Sequence, residues 1–205
     1  MSGNKFLFIE ILDEELVTLF QGLKSIFNDQ EATSPVHITI KGPQKSNFKV
    51  TSYNKFSDSD YPLVISQSNC FSYSKKYFVH FKVQIPQMEK HQLWYKPTFP
   101  SEKNPHITVC ETSDEDFSND IVSFLNKEVG DLLCRDYEFL QYIPSHRDLV
   151  RETGLEKTRN IDDAGIPNLI NIGKVRKGLF ARAHEIKAKY IDLANRERLT
   201  TLHAN

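Results

Sequence analysis

Two tetrapeptides constrain this chain more than any other feature: His37-Ile38-Thr39-Ile40 and His106-Ile107-Thr108-Val109, each closely preceded by a proline. In both, apolar and polar side chains alternate with period two, which is the pattern of a strand with one buried and one polar face. Their surroundings echo each other. Lys5 to Leu12 is rich in Phe, Ile and Leu and reads as a buried strand. Asp13 is an N-cap candidate for an amphipathic helix through Leu16, Leu19, Phe20, Leu23, Ile26 and Phe27, which leads to the first histidine strand. In the second half Tyr77 to Ile85 alternates as a strand, Glu89 to Tyr95 reads as a short helix, and the second histidine strand follows. Ser113, with acidic residues in the next three positions, opens a second amphipathic helix through Phe117, Ile121, Phe124 and Leu125, and Leu132 to Ile143 reads as a final strand. Between the halves, after a turn at Gly42-Pro43, the segments Phe48–Ser52, Leu63–Ser66 and Cys70–Tyr73 read as short strands around an exposed loop at Asp58–Asp60. The expectation is an α+β fold of two similar halves.

Beyond Pro144 the strand signals stop. Val175, Leu179, Ala183, Ile186, Tyr190 and Leu193 trace a helical stripe among lysines and arginines, which predicts a helix from about Ile172 to about Leu199. The chain therefore divides into a bilobal unit over 1–143, acidic on balance, and a basic helical extension over 144–205. The stripe needs a cover: the chain's own lobes, as a brace or lid, or a second copy in a homodimer. The basic run Lys174 to Lys189 reads as a solvated face, a salt-bridge surface or an RNA contact. With 39% hydrophobic and 26% charged residues over 205 positions, the chain can bury a core. No apolar run approaches the roughly 20 residues of a membrane span, and Met1 to Lys5 lead into a strand without a secretory signal, so no membrane association and a cytoplasmic location are expected. Cys70, Cys110 and Cys134, odd in number and without a CxxC pair, read as reduced thiols.

The chemistry lies in the tetrapeptides. Positions i and i+2 of a strand project from one face, so each histidine is followed on its own side by a threonine hydroxyl. Two such strands placed close together converge two imidazoles and two hydroxyls. The imidazoles can divide general-base and general-acid work near neutral pH, while the hydroxyls donate to the non-bridging oxygens of a phosphate. Two histidines without a spaced carboxylate or thiol do not make a zinc site, so neither metal nor other cofactor is expected.

This paired pattern resembles the 2H phosphoesterases, a family defined by two H-x-T/S motifs. The resemblance covers residues 5–143, with the FLFIEIL strand, the DEELVTLF helix, VHITIKG, YFVHFKVQI and NPHITVCE in the family's order. It implies two pseudo-symmetric lobes with antiparallel sheets around a central cleft. It also implies metal-independent hydrolysis of 2',3'-cyclic phosphates, or of small cyclic or 2'-5'-linked oligonucleotides. His37 and His106 would be the acid/base pair, and Thr39 and Thr108 the phosphate-binding hydroxyls, with the assignment of acid and base left open. The other reading is a module that binds a nucleotide or RNA end in the same cleft without turning it over.

One departure stands out. Many RNA cyclic phosphodiesterases of that family carry a basic residue shortly after the second motif, where Cys110 and Glu111 stand here. The positive charge for the substrate would then come from Lys41, Lys103 or the basic tail, and Lys41 shares the parity of His37 and Thr39. Trp94 and Tyr95 are candidates for stacking on a nucleobase. His80 and His91, which lack a repeated partner, read as structural or exposed.

Overall fold

A computed structural model of the chain describes residues 5–28, 35–50, 62–85, 105–143, 148–150 and 178–203. In chain order these form β1 (Lys5–Ile11), α1 (Glu14–Asn28), β2 (His37–Gln44), β3 (Leu63–Tyr73), β4 (Lys76–Gln84), β5 (His106–Thr112), α2 (Glu115–Glu128), β6 (Leu132–Cys134), β7 (Tyr137–Ile143), β8 (Asp148–Val150) and α3 (Leu179–His203). The strands make two four-stranded antiparallel sheets, ordered β2-β1-β7-β8 and β5-β4-β3-β6. The fold is α+β. Among the described residues no helix is long and apolar enough to cross a membrane.

One core runs through both sheets and all three helices. Ile107 and Val109 of β5 and Phe81 of β4 point into it, and Phe20 of α1 meets Phe81 edge-on with ring centroids 5.4 Å apart. Phe27 packs in the same manner on Phe117 and Phe124 of α2. The expected cap of α1 is present, with the Leu16 amide donating to Asp13 Oδ1 at 3.2 Å. At α2 the cap is Asp114 rather than Ser113: its carboxylate accepts from the Phe117 amide at 2.8 Å, while Thr112 Oγ1 holds the Asp114 amide.

Several boundaries differ from the sequence reading. Gly42-Pro43 is not a turn. β2 continues through it to Gln44 by a register shift, with Gly42 at φ 137° and so close to Phe6 that an added Cβ would lie 2.5 Å from its ring. Residues 48–50 form no strand, and the rest of the Phe48–Ser52 segment, like the Asp58–Asp60 loop and the Glu89–Tyr95 helix, lies outside the described residues. Leu63–Ser66 and Cys70–Tyr73 are one strand, because a bulge at Gln67 (φ 24°) absorbs the polar residues that resembled a break. Asn126 of α2 secures it, accepting from the Ser68 amide at 2.7 Å and donating to the Ser68 carbonyl at 3.0 Å. Leu132–Ile143 is two strands in different sheets: Cys134 pairs with Leu63, and two residues later the Asp136 carbonyl accepts from the Leu12 and Asp13 amides beside β1. Past Pro144, where no strand was expected, β8 extends the first sheet.

α3 starts at Leu179, after Gly178 at φ 91°, and runs to His203; Val175 and the expected start near Ile172 lie outside the described residues. Its stripe is covered by the chain's own helices α1 and α2. Leu179 and Ala183 are buried and Ile186 and Tyr190 partly so, whereas Ile191 and Leu193 are 46% and 44% exposed. Three of its cations reach the neighbouring helices: Arg182 pairs with Glu128, Lys189 with Asp120, and Lys187 Nζ donates to the Phe27 carbonyl at the end of α1.

Candidate active site

β2 and β5, the two strands that carry the tetrapeptides, are the outermost described strands of their sheets, and they touch each other. Their local geometry matches residue for residue. On β2, His37 faces Glu10, Ile38 faces Ile9, Thr39 faces Phe8, and Lys41 faces Leu7, with Ile40 left over as a bulge. On β5, His106 faces Lys82, Ile107 faces Phe81, Thr108 faces His80, and Cys110 faces Val79, with Val109 left over. Each bulge falls on the residue that follows the threonine, where it locally increases the twist of the strand. Helix α1 fixes the second bulge: Asn28 Nδ2 donates to the Val109 carbonyl at 2.9 Å, and Asn28 Oδ1 accepts from the Glu111 amide at 2.8 Å, as a neighbouring strand would.

His37 is held on two sides. Its ring stacks on Phe8 with centroids 4.3 Å apart and planes 15° apart, and Phe8 stacks in turn on Tyr142 at 5.0 Å. Its Nδ1 lies 3.0 Å from the Pro35 carbonyl oxygen. A carbonyl only accepts, so Nδ1 carries the proton and Nε2 keeps its lone pair. Burial lowers the pKa of His37 to about 4, with the charges of Lys24 and His106 acting in the same direction and the Pro35 bond opposing. Lys24, on α1, is itself lowered to about 8 by burial.

The ring across from Thr108 is a third histidine. His80 is 1% exposed, its ring centroid lies 5.0 Å from that of His106 at 64°, and Phe71 closes the cluster at 5.2 Å from His80 and 5.5 Å from His106. His80 Nδ1 donates to the Phe78 carbonyl at 3.2 Å. Burial lowers its pKa to about 4 as well, helped by His106 and Lys82 and opposed by the Phe78 bond.

Of the residues singled out in the sequence, His37, Thr39, His106 and Thr108 are brought onto the two touching strands, the threonines half-buried like the histidines. Lys41 follows the Ile40 bulge and faces Leu7, while Phe8 lies across from Thr39; burial nonetheless alternates from Val36 to Gly42, with Lys41 half-buried like His37 and Thr39. The cation that acts on His37 is Lys24. Trp94, Tyr95, Lys103 and His91 lie outside the described residues. His80, read from sequence as structural or exposed, is the former, buried against His106; its alternation with Phe78 and Lys82 is visible in the sequence, but the pairing of β4 with β5 is not. Among the described residues no group of three or more His, Cys, Asp or Glu side chains could hold a metal ion. Compared with the models of known protein families and with curated proteins, the chain matches none of them.

The two depressed histidines make stability depend on pH. The unfolded chain takes up their protons near the usual 6.5, whereas the folded chain resists until about 4. Their contribution is complete above 6.5 and is lost as the pH falls towards 4, at roughly 1.4 kcal/mol per pH unit for each histidine. Urea midpoints measured across this window are expected to fall with acidification, and a His37→Gln/His80→Gln double variant to flatten the dependence. An equal slope in that variant would assign the acid sensitivity to other groups.

Proposed function

We propose that this protein is a two-histidine phosphodiesterase of the 2H type, acting without a metal on 2',3'-cyclic phosphates or on small cyclic or 2'-5'-linked oligonucleotides. The observation that carries the reading is the matched pair of strands: two H-x-T segments at touching sheet edges, each with a bulge after its threonine. This correspondence also supports two pseudo-symmetric lobes meeting at a cleft.

In the forward reaction His37 is the base. Its Nδ1–H is committed to Pro35, its Nε2 is free to accept, and a pKa near 4 keeps the ring neutral at pH 7. Nε2 takes a proton from water, or from a ribose hydroxyl, as that oxygen attacks phosphorus. The bond from phosphorus to the departing oxygen breaks, and His106 delivers a proton to it, so each turnover leaves His37 charged and His106 neutral until solvent resets them. Thr39 and Thr108 donate to the non-bridging oxygens, and Lys24 supplies the positive charge that is missing after the second motif.

The test is a panel of 2',3'-cyclic nucleotides, 2'-5' oligoadenylates and cyclic di- and trinucleotides, offered to the purified protein with and without EDTA. Cleavage of at least one class, unchanged by the chelator, is expected. Loss of all activity in EDTA with recovery on adding zinc or manganese would overturn the mechanism, and saturable binding without turnover would identify a nucleotide-binding module instead.

A further inference from the structure

His80 occupies, beside the second motif, the place that Phe8 occupies beside the first: each lies directly across from the motif threonine, one step before the bulge, and each ring touches the motif histidine. Phe8 seats His37 by stacking and cannot titrate. His80 can. Its Nδ1–H is bound by the Phe78 carbonyl, so a second proton would go onto Nε2 and create a positive charge inside a buried cluster. The charged and titratable groups around it are unfavourable to that charge. His106 meets it from β5 and Lys82 stands two residues along its own strand, while β3 places the uncharged Asn69 across from it and the ring of Phe71 beside it. Two imidazoles in contact do not readily hold two protons, and the less accessible one yields.

We infer that His80 is a positioning residue: an uncharged ring, locked by its bond to Phe78, that seats His106 edge-on so that of the two only His106 changes protonation. This rests on the two-histidine reading of the site and adds to it the device that keeps the second histidine aimed. His80 itself handles no proton of the substrate, which separates it from a third acid or base.

Two variants and one spectroscopic titration of the full chain decide it. His80→Ala removes the seat and is expected to lower kcat by about 10- to 100-fold through misaiming of His106, with KM within about twofold. His80→Phe restores a ring of the kind that serves His37 and is expected to return kcat to within about threefold of wild type. In wild type, NMR of the imidazole nitrogens is expected to show His80 remaining in its neutral Nδ1–H form between about pH 8 and 5 while His106 takes up its proton. In His80→Ala the His106 midpoint shifts, and in His80→Phe it stays. Wild-type kinetics in His80→Ala would make the residue a core filler, and a loss of about 10²-fold or more in His80→Phe would make it a proton carrier; either result overturns the inference, as does joint protonation of the pair. If His80→Ala does not fold, the Phe variant and the titration still decide. The titration needs no substrate: a seated, neutral His80 in a protein that cleaves no phosphodiester would refute the proposed activity and leave this inference standing.

Discussion

Replacing His37 or His106 by alanine is expected to reduce kcat on a phosphodiester substrate by about 10² to 10⁴, the usual effect of removing a general base or acid. KM should change far less, because the groups assigned to holding the phosphate, the Thr39 and Thr108 hydroxyls and the Lys24 ammonium, remain. The double variant should be little worse than the poorer single one, since a base without its acid partner has already lost the concerted step. In wild type the rate should pass through a maximum on the acid side of neutrality, since His37 is a competent base above about 4. The field of His106 lowers the affinity of His37 for a proton, so the two limbs of that profile belong to the pair rather than to one residue. A variant of either histidine that keeps wild-type kcat would remove that residue from the chemistry. A rate climbing without a plateau through about pH 10 would assign the reaction to a lysine or to free hydroxide.

What could be foreseen at this site depended on the range of the interactions involved. Alternation along five or six residues placed His37 and Thr39 on one strand face, and His106 and Thr108 on another, because side-chain direction in a strand is a local property. A bulge, by contrast, is decided by the pairing of two strands and leaves no mark in one of them: Ile40 is an inward core residue, and only its register against Phe8 and Leu7 shows the bulge. Phe8 was hidden for another reason. In the run Phe6 to Ile9 every residue is apolar, so neither face can be told from the other by pattern. Lys24 sits one turn before the end of an amphipathic helix, where a lysine is ordinarily a solvated side chain, and only the docking of α1 onto β5 brings its charge to His37. Long-range pairing likewise decided that Leu63–Tyr73 is continuous and that Leu132–Ile143 divides between two sheets.

The extension beyond Pro144 illustrates the opposite case, in which a local pattern pointed to a tertiary contact. An apolar stripe on a helix of this length requires a cover, and α3 finds it on α1 and α2. Phe180 lies so close to Gly22 of α1 that a Cβ there would sit 2.6 Å from its ring. Tyr190 packs on Phe117 at 4.8 Å and its hydroxyl donates to Asp120 at 2.8 Å, while Arg182 reaches Glu128 at 2.6 Å. Lys187 satisfies a carbonyl in the last turn of α1, a group that the helix itself cannot pair. Leu179, Phe180, Ala183 and Tyr190 together bury enough apolar surface to contribute on the order of 5 kcal/mol, a large share of the roughly 5–15 kcal/mol by which a domain of this size is stable. Ending the chain after residue 177 is therefore expected to abolish cooperative unfolding, or to lower the thermal midpoint by well over about 10 °C. The contacts described for α3 fall on the helix layer, which covers the Ile107 and Val109 side of β5, whereas His106 and Thr108 occupy its other side. Of the two intramolecular readings, brace or lid, the contacts of the described part of α3 fit the brace. Any shortened protein that remains folded should keep the substrate preference of the full chain while losing stability. An unchanged midpoint after truncation would show that the stripe contributes nothing to the fold, and a changed preference between short and long substrates at unchanged stability would make the helix a gate after all.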